Sequence, residues 1–148
     1  MDLTTISRGL WIPRPLINGV GTPGFNSILL DASTEKAAFI FRVPKTGTLD
    51  KAEWRASSVA VDAASQIRTS FQDVPTTGDD PDGTQDQFRD IAGSAMVANG
   101  WNVPGLMTSD GTDGGTKRSV TIGQLLAIVI EYATFTAADT FQVSTFDN

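Results

Sequence analysis

At 148 residues with 40% hydrophobic content, the chain is long enough to bury one apolar core and reads as a single folded unit. It carries 17 acidic and 11 basic residues, and the resulting net charge of −6 opposes binding to a phosphate backbone. Cysteine and histidine are both absent, which excludes disulfides, thiolate metal sites and every mechanism that uses an imidazole.

Residues 1–33 read as an irregular arm. Pro13, Pro15 and Pro23 each remove a backbone donor, and Gly9, Gly19, Gly21 and Gly24 favour turns. Met1-Asp2-Leu3-Thr4 shows neither the charged nor the apolar region of a secretory signal. Leu10, Trp11, Ile12, Leu16 and Ile17 are nevertheless strongly apolar, as are Ile28, Leu29 and Leu30. Extended backbone with that much apolar surface must dock, either on its own domain or on a neighbouring subunit. Leu10 to Ile12, Leu16 and Ile17 are the expected interface residues, with Trp11 as anchor because Trp is enriched at binding hot spots.

From residue 34 to 148 short β-rich runs alternate with Gly, Pro, Asp and Thr clusters, the pattern of a sandwich or barrel. The spacing predicts a strand over 37–43, with Ala37, Phe39, Phe41 and Val43 on one face. A second runs over 49–59, with Ala52, Trp54 and Ala56 opposite Lys51, Glu53 and Arg55. Ile67, Thr69 and Phe71 carry the alternation on. Residues 87–96 hold a further strand anchored by Phe88 and Ile91, and 100–103 a short one. Thr108 to Gly115 can only be a loop. A strand over 117–122 follows, then the apolar run of 125–135, whose lack of alternation predicts burial on both faces. The longest unbroken apolar stretch in it, 125–130, is six residues, against the roughly 20 that a membrane-spanning helix needs. A last strand over 140–146 closes the set. About eight strands joined without crossover helices predict two antiparallel sheets packed as a jelly-roll-like sandwich. Trp54, Phe39, Phe41, Phe71, Ile128 and Ile130 are the expected core.

Three stretches carry a resemblance. They are Phe41-Arg42-Val43-Pro44-Lys45-Thr46-Gly47-Thr48-Leu49, the strand end and acidic turn from Ser70 to Thr84, and Ser119-Val120-Thr121-Ile122-Gly123-Gln124 with the apolar run after it. Together they resemble a β-sandwich module of tailed-bacteriophage virion proteins, over about residues 36–145. The resemblance implies a virion location and a scaffold used for capsid decoration, fibres and sugar binding. It also implies a homotrimer, since decoration proteins of this kind often sit on symmetry axes of the shell, and the major capsid protein or another virion protein as partner.

Asp73, Asp79, Asp80, Asp82, Asp86 and Asp90 are six of the chain's 14 aspartates, within 18 positions. Clustered carboxylates can hold Ca²⁺, and Asp79, Asp80 and Asp82 are the candidate ligands. Counting an EF-hand from Asp80, however, puts Gln85 where glycine is required. The alternative is a solvated turn in which Asp and Gly satisfy turn geometry. Gly19-Val20-Gly21-Thr22-Pro23-Gly24 fits the letters of a dinucleotide fingerprint, but prolines precede it and a β-like run follows, so the strand-to-helix context is missing. Of the three tryptophans, Trp54 alternates with small apolar residues as core does. Trp101, beside loops, is the candidate sugar platform. No carboxylate pair is singled out as a glycosidase would require, so the residues point to binding without catalysis. The leading expectation is a capsid decoration (cement) protein that stabilises the head. The alternative is a tail-fibre or receptor-binding module for a host-surface glycan.

Overall fold

The computed structural model describes residues 27–49, 51–74, 85–105 and 118–144. Among these residues eleven strands form: β1 Ser27–Leu30, β2 Lys36–Arg42, β3 Gly47–Leu49, β4 Trp54–Ala60, β5 Gln66–Asp73, β6 Gln85–Gln87, β7 Ile91–Ala92, β8 Gly100–Asn102, β9 Arg118–Val120, β10 Leu125–Thr134 and β11 Thr140–Ser144. One sheet has the order β1-β11-β4-β8, the other β2-β10-β5-β6 with β7 also on β5, and β3 and β9 make a separate ribbon. Every pairing between these strands is antiparallel.

The pairing is nested. β1 lies with β11, β2 with β10, β3 with β9, β4 with β8, and β5 with β6 and β7. A long hairpin rolled up so that successive pairs join alternate sheets gives this order, which is that of a jelly roll. The fold is therefore the antiparallel sandwich that the alternation predicts. Its strand count among the described residues exceeds the expected eight because β1 falls in the expected arm and the expected runs 49–59 and 87–96 each divide in two.

The core lies between the two sheets. Phe39, Trp54, Ile67, Ile130, Tyr132 and Phe141 form its larger part, and Val43, Phe71, Phe88, Val120 and Leu126 the smaller. Trp54 and Phe141 meet with ring centroids 5.8 Å apart and planes tilted by 40°, and Tyr132 meets Phe141 edge-on at 5.2 Å. Trp54 Nε1 donates to Thr69 Oγ1 at 3.0 Å, a hydrogen bond from one sheet to the other that satisfies the indole in the core. Of the six expected core residues, Phe39, Trp54, Phe71 and Ile130 are buried, while Phe41 and Ile128 are half-buried. Phe41 sits on an edge strand, and Ile128 bridges the seam between the two clusters. On β10, Ala127 and Val129 point away from the other sheet yet are fully buried, as the unbroken apolar run predicts.

Three expectations change. Ser27–Leu30, assigned above to the irregular arm, is an edge strand of the sandwich, so the boundary at 33 falls too late. Residues 49–59 split, because β3 joins the ribbon whereas β4 joins a main sheet. Residues 87–96 are not one strand: β7 has two residues and runs into a single 3-10 turn at Gly93–Ala95. Gly93 is there because a Cβ would fall 2.0 Å from the Asp62 carbonyl oxygen.

Candidate functional site

The solvent face of the β1-β11-β4-β8 sheet holds the most distinctive surface. Trp54 pairs with Asn102, Arg55 with Trp101 and Ala56 with Gly100. Alternation sends Trp54, Ala56 and Asn102 inward, where all three are buried, and so turns Arg55 and Trp101 outward. Trp101 is 43% exposed, between Val97 at 47% and Val103 at 59%.

The loop before Trp101 is tightly built. Asn102 Oδ1 accepts from the Val97 N–H at 2.8 Å, and Nδ2 donates to the Val97 carbonyl at 3.1 Å and the Gly100 carbonyl at 3.4 Å. The buried amide thus pairs with backbone as a neighbouring strand would. Asn99 takes a left-handed φ of 54°, which Asn tolerates. A Cβ on Gly100 would lie 2.5 Å from Val97 Cγ1, so any side chain there would require Val97 to shift. Arg55 Nη2 reaches the Asn99 carbonyl at 3.5 Å. Further along the face, Ser57 Oγ donates to Gln142 Oε1 at 3.0 Å, and Ser58 is exposed opposite Gln142.

The acidic cluster divides. Asp79, Asp80 and Asp82 lie outside the described residues, as do Leu10, Trp11, Ile12, Leu16 and Ile17. Asp73 and Asp86 flank the turn and are not simply solvated. Arg118 Nη1 bonds to Asp86 Oδ2 at 2.5 Å and Nη2 to Asp73 Oδ1 at 2.7 Å. Gln124 Nε2 adds a bond to Asp73 Oδ1 at 3.0 Å. Asp86 and Arg118 are both buried. Burial works to lower the Arg118 pKa, but the hydrogen bonds and charges of Asp86 and Asp73 outweigh it and hold the guanidinium above its ordinary value. The cluster therefore clamps the two stems of the acidic turn together. Asp90 pairs with Arg68 at 3.4 Å on the surface. No group of three acidic side chains able to hold a metal occurs among the described residues.

Of the proposed sites, then, the structure places Trp101 on the surface and Trp54 in the core. It adds Arg55 and Asn102, which the sequence reading passed over. The signals were present, since Asn99-Gly100 marks a tight turn and period two sets Arg55 opposite Trp54. What brings Arg55 beside Trp101 is the β4–β8 register, and that is tertiary. Compared with known proteins, the chain matches no family model, no curated protein and no solved structure.

Proposed function

We propose that this protein is a structural component of a tailed-bacteriophage virion, a decoration protein that cements the head by binding the major capsid protein as a homotrimer. The observation that carries this reading is the jelly-roll strand order, found in a chain whose residues 36–145 resemble phage virion sandwich modules. A sandwich closed by nested pairing offers broad, rigid faces, and the apolar residues Leu10, Trp11, Ile12, Leu16 and Ile17 supply an arm for a neighbour. Closed cyclic assembly is the usual way to bury such an arm.

The full chain is expected to co-sediment with undecorated heads of the phage that encodes it, and to run as a trimer in analytical ultracentrifugation. Deleting residues 2–20 should leave a folded sandwich that no longer binds heads. Unimpaired binding by the truncated protein would remove the arm from the account. Absence of the chain from purified particles by mass spectrometry would remove the virion role altogether.

A second reading, a fibre module that recognises a host-surface glycan, is favoured by one observation: Trp101 is displayed on β8 at the sheet surface, beside a loop pinned by the Asn102 amide.

A further inference from the structure

We infer that the outer face of the β2-β10-β5-β6 sheet, the one turned away from the core, is a seat for the chain's own residues 10–17. The inference uses the same arm as the virion reading, but it stands on the face itself and holds whether or not the protein belongs to a particle.

Burial is the first argument. Register puts Val129 between Ala38 and Ser70, and Ala127 between Ile40 and Gln72. All six point outward, because the alternate residues Phe39, Ile128 and Phe71 point into the sandwich. An outer face open to water leaves a valine's methyl groups exposed, and neighbours as small as Ala38 and Ser70 cannot hide them. Yet Val129, Ala127 and Ser70 are fully buried, and Gln72 is buried with them. Gln72 Nε2 donates to Ser70 Oγ at 3.0 Å. A glutamine that could reach water instead lies along its own strand and bonds two residues back, as a polar side chain does once it is covered. Among the described strands none is left to do the covering. β1, β11, β4 and β8 form the other sheet, against the inner face, and the ribbon packs Leu49 and Val120 into the smaller core cluster.

Composition names the occupant. Outside the described residues lie 1–26, Asp50, 75–84, 106–117 and 145–148. The stretch 75–84 has no large apolar side chain beyond proline, 106–117 has only Leu106 and Met107, and 145–148 has only Phe146. Residues 10–17 hold Leu10, Trp11, Ile12, Leu16 and Ile17 with a single charge, Arg14. The seat matches them, because its charged residues stand at its ends, with Lys36, Glu131 and Arg68 in register across one and Arg42 at the other. Reach fits as well. The arm joins the sandwich at Ser27 in β1, which lies beside β2 at the edge of the face. The ten residues from Ile17 to Ser27 span up to about 33 Å, against about 15 Å across the four strands from β2 to β6. Extended backbone sends Leu10 and Ile12 to one side and Trp11 to the other, so a seated arm still presents Trp11 to a neighbouring subunit.

The chain has no cysteine, so single thiols report the cover directly. In full-length Val129→Cys the thiol should react with DTNB about a hundredfold more slowly in buffer than in urea. Leu10→Asp with Ile12→Asp, or Leu16→Asp with Ile17→Asp, introduced into that chain should speed the reaction about tenfold or more. Val143→Cys, placed between the sheets, should stay protected beside the same aspartates and so show that the sandwich is intact. A thiol at position 129 that reacts at its unfolded rate in the otherwise unchanged chain overturns the seat, as does one that neither aspartate pair exposes. Exposure by Leu106→Asp with Met107→Asp in place of the arm pairs gives the face to that segment and overturns the proposal too. If the aspartates expose position 143 as well, the fold is lost and oxidation decides. Leu10→Cys, Ile12→Cys, Leu16→Cys or Ile17→Cys, each combined with Val129→Cys, should in at least one case form a disulfide within one chain. A disulfide only between chains assigns the seat to a neighbour's arm, and none in any case leaves the seat without the arm; either result overturns the proposal. Heads that bind a chain whose position 129 is open sink the seat alone, whereas a protected position 129 in a chain that binds no heads sinks the virion reading alone.

Discussion

Single residues show where local preference yields to the fold. Ala138 has φ of 79°, a left-handed conformation in which a Cβ costs roughly 1–2 kcal/mol. It lies in the turn between β10 and β11, one position before Asp139, whose side chain is fully engaged. Ala138→Gly should relieve the strain and, after the extra backbone entropy of glycine, stabilise the fold by about 0.5–1 kcal/mol. A urea midpoint that stays put or falls would show that the turn does not hold this conformation. Tyr132, the chain's only tyrosine, donates to the Leu30 carbonyl at 3.2 Å from a buried position. Burial pushes its phenol up to about 12, helped by the negative charges of Asp139, Asp31 and Glu35. A folded value above the ordinary 10 means that the phenol's contribution to stability is complete below about pH 10 and is lost as pH rises through 12. Phenolate absorbance should therefore titrate near 12 in the native protein and near 10 in denaturant; a native midpoint near 10 would place the hydroxyl in water.

Among elements, the turns at one end of the sandwich are latched together by a carboxylate. Asp139 Oδ1 accepts from the Asp62 N–H at 2.8 Å. Its Oδ2 accepts from the Ser65 hydroxyl at 2.5 Å and the Thr136 N–H at 2.9 Å. Burial alone would raise the Asp139 pKa, but these three hydrogen bonds prevail and hold it below the usual carboxylate range. The folded state thus binds its proton less readily than the unfolded chain does. The latch contributes in full above the ordinary carboxylate value of about 3.9 and is lost as pH falls through the lower folded value. Asp139→Asn sets an amide donor against backbone and hydroxyl donors and should cost about 1–3 kcal/mol at neutral pH. The gap between variant and wild type should narrow in urea unfolding at about pH 3. A gap that is equal at both values of pH would deny the carboxylate its role.

For the molecule as a whole, the other end depends on Arg118. It is the first residue of β9, yet its guanidinium ties Asp73 at the end of β5 to Asp86 in β6. It therefore joins the ribbon to the main sheet at the rim of the smaller core cluster. Arg118→Met would take from buried Asp86 the guanidinium it pairs with and should cost about 3–5 kcal/mol. Such a buried pair is poorly screened, so the loss should persist at high salt. A small loss that vanishes in salt would mean that the pair is solvated.

The alternation of Ala37 to Val43 and of Ala52, Trp54 and Ala56 was enough to declare a β-sandwich and most of its core, because each strand must hide one face and its period is local. The unbroken run of β10 likewise announced burial on both faces. Where partners are distant, the sequence was mute. Asp86 read as one more solvated aspartate, since the cation that buries it stands 32 positions away. Arg55 read as the polar half of an alternation until β4 paired with β8 and put it beside Trp101. β3, three residues long, has no period of its own and exists because β9, expected over 117–122, supplies its hydrogen bonds. Periodicity is a property of one strand and is legible along the chain, whereas register is a property of two strands and is decided only when the sheets close.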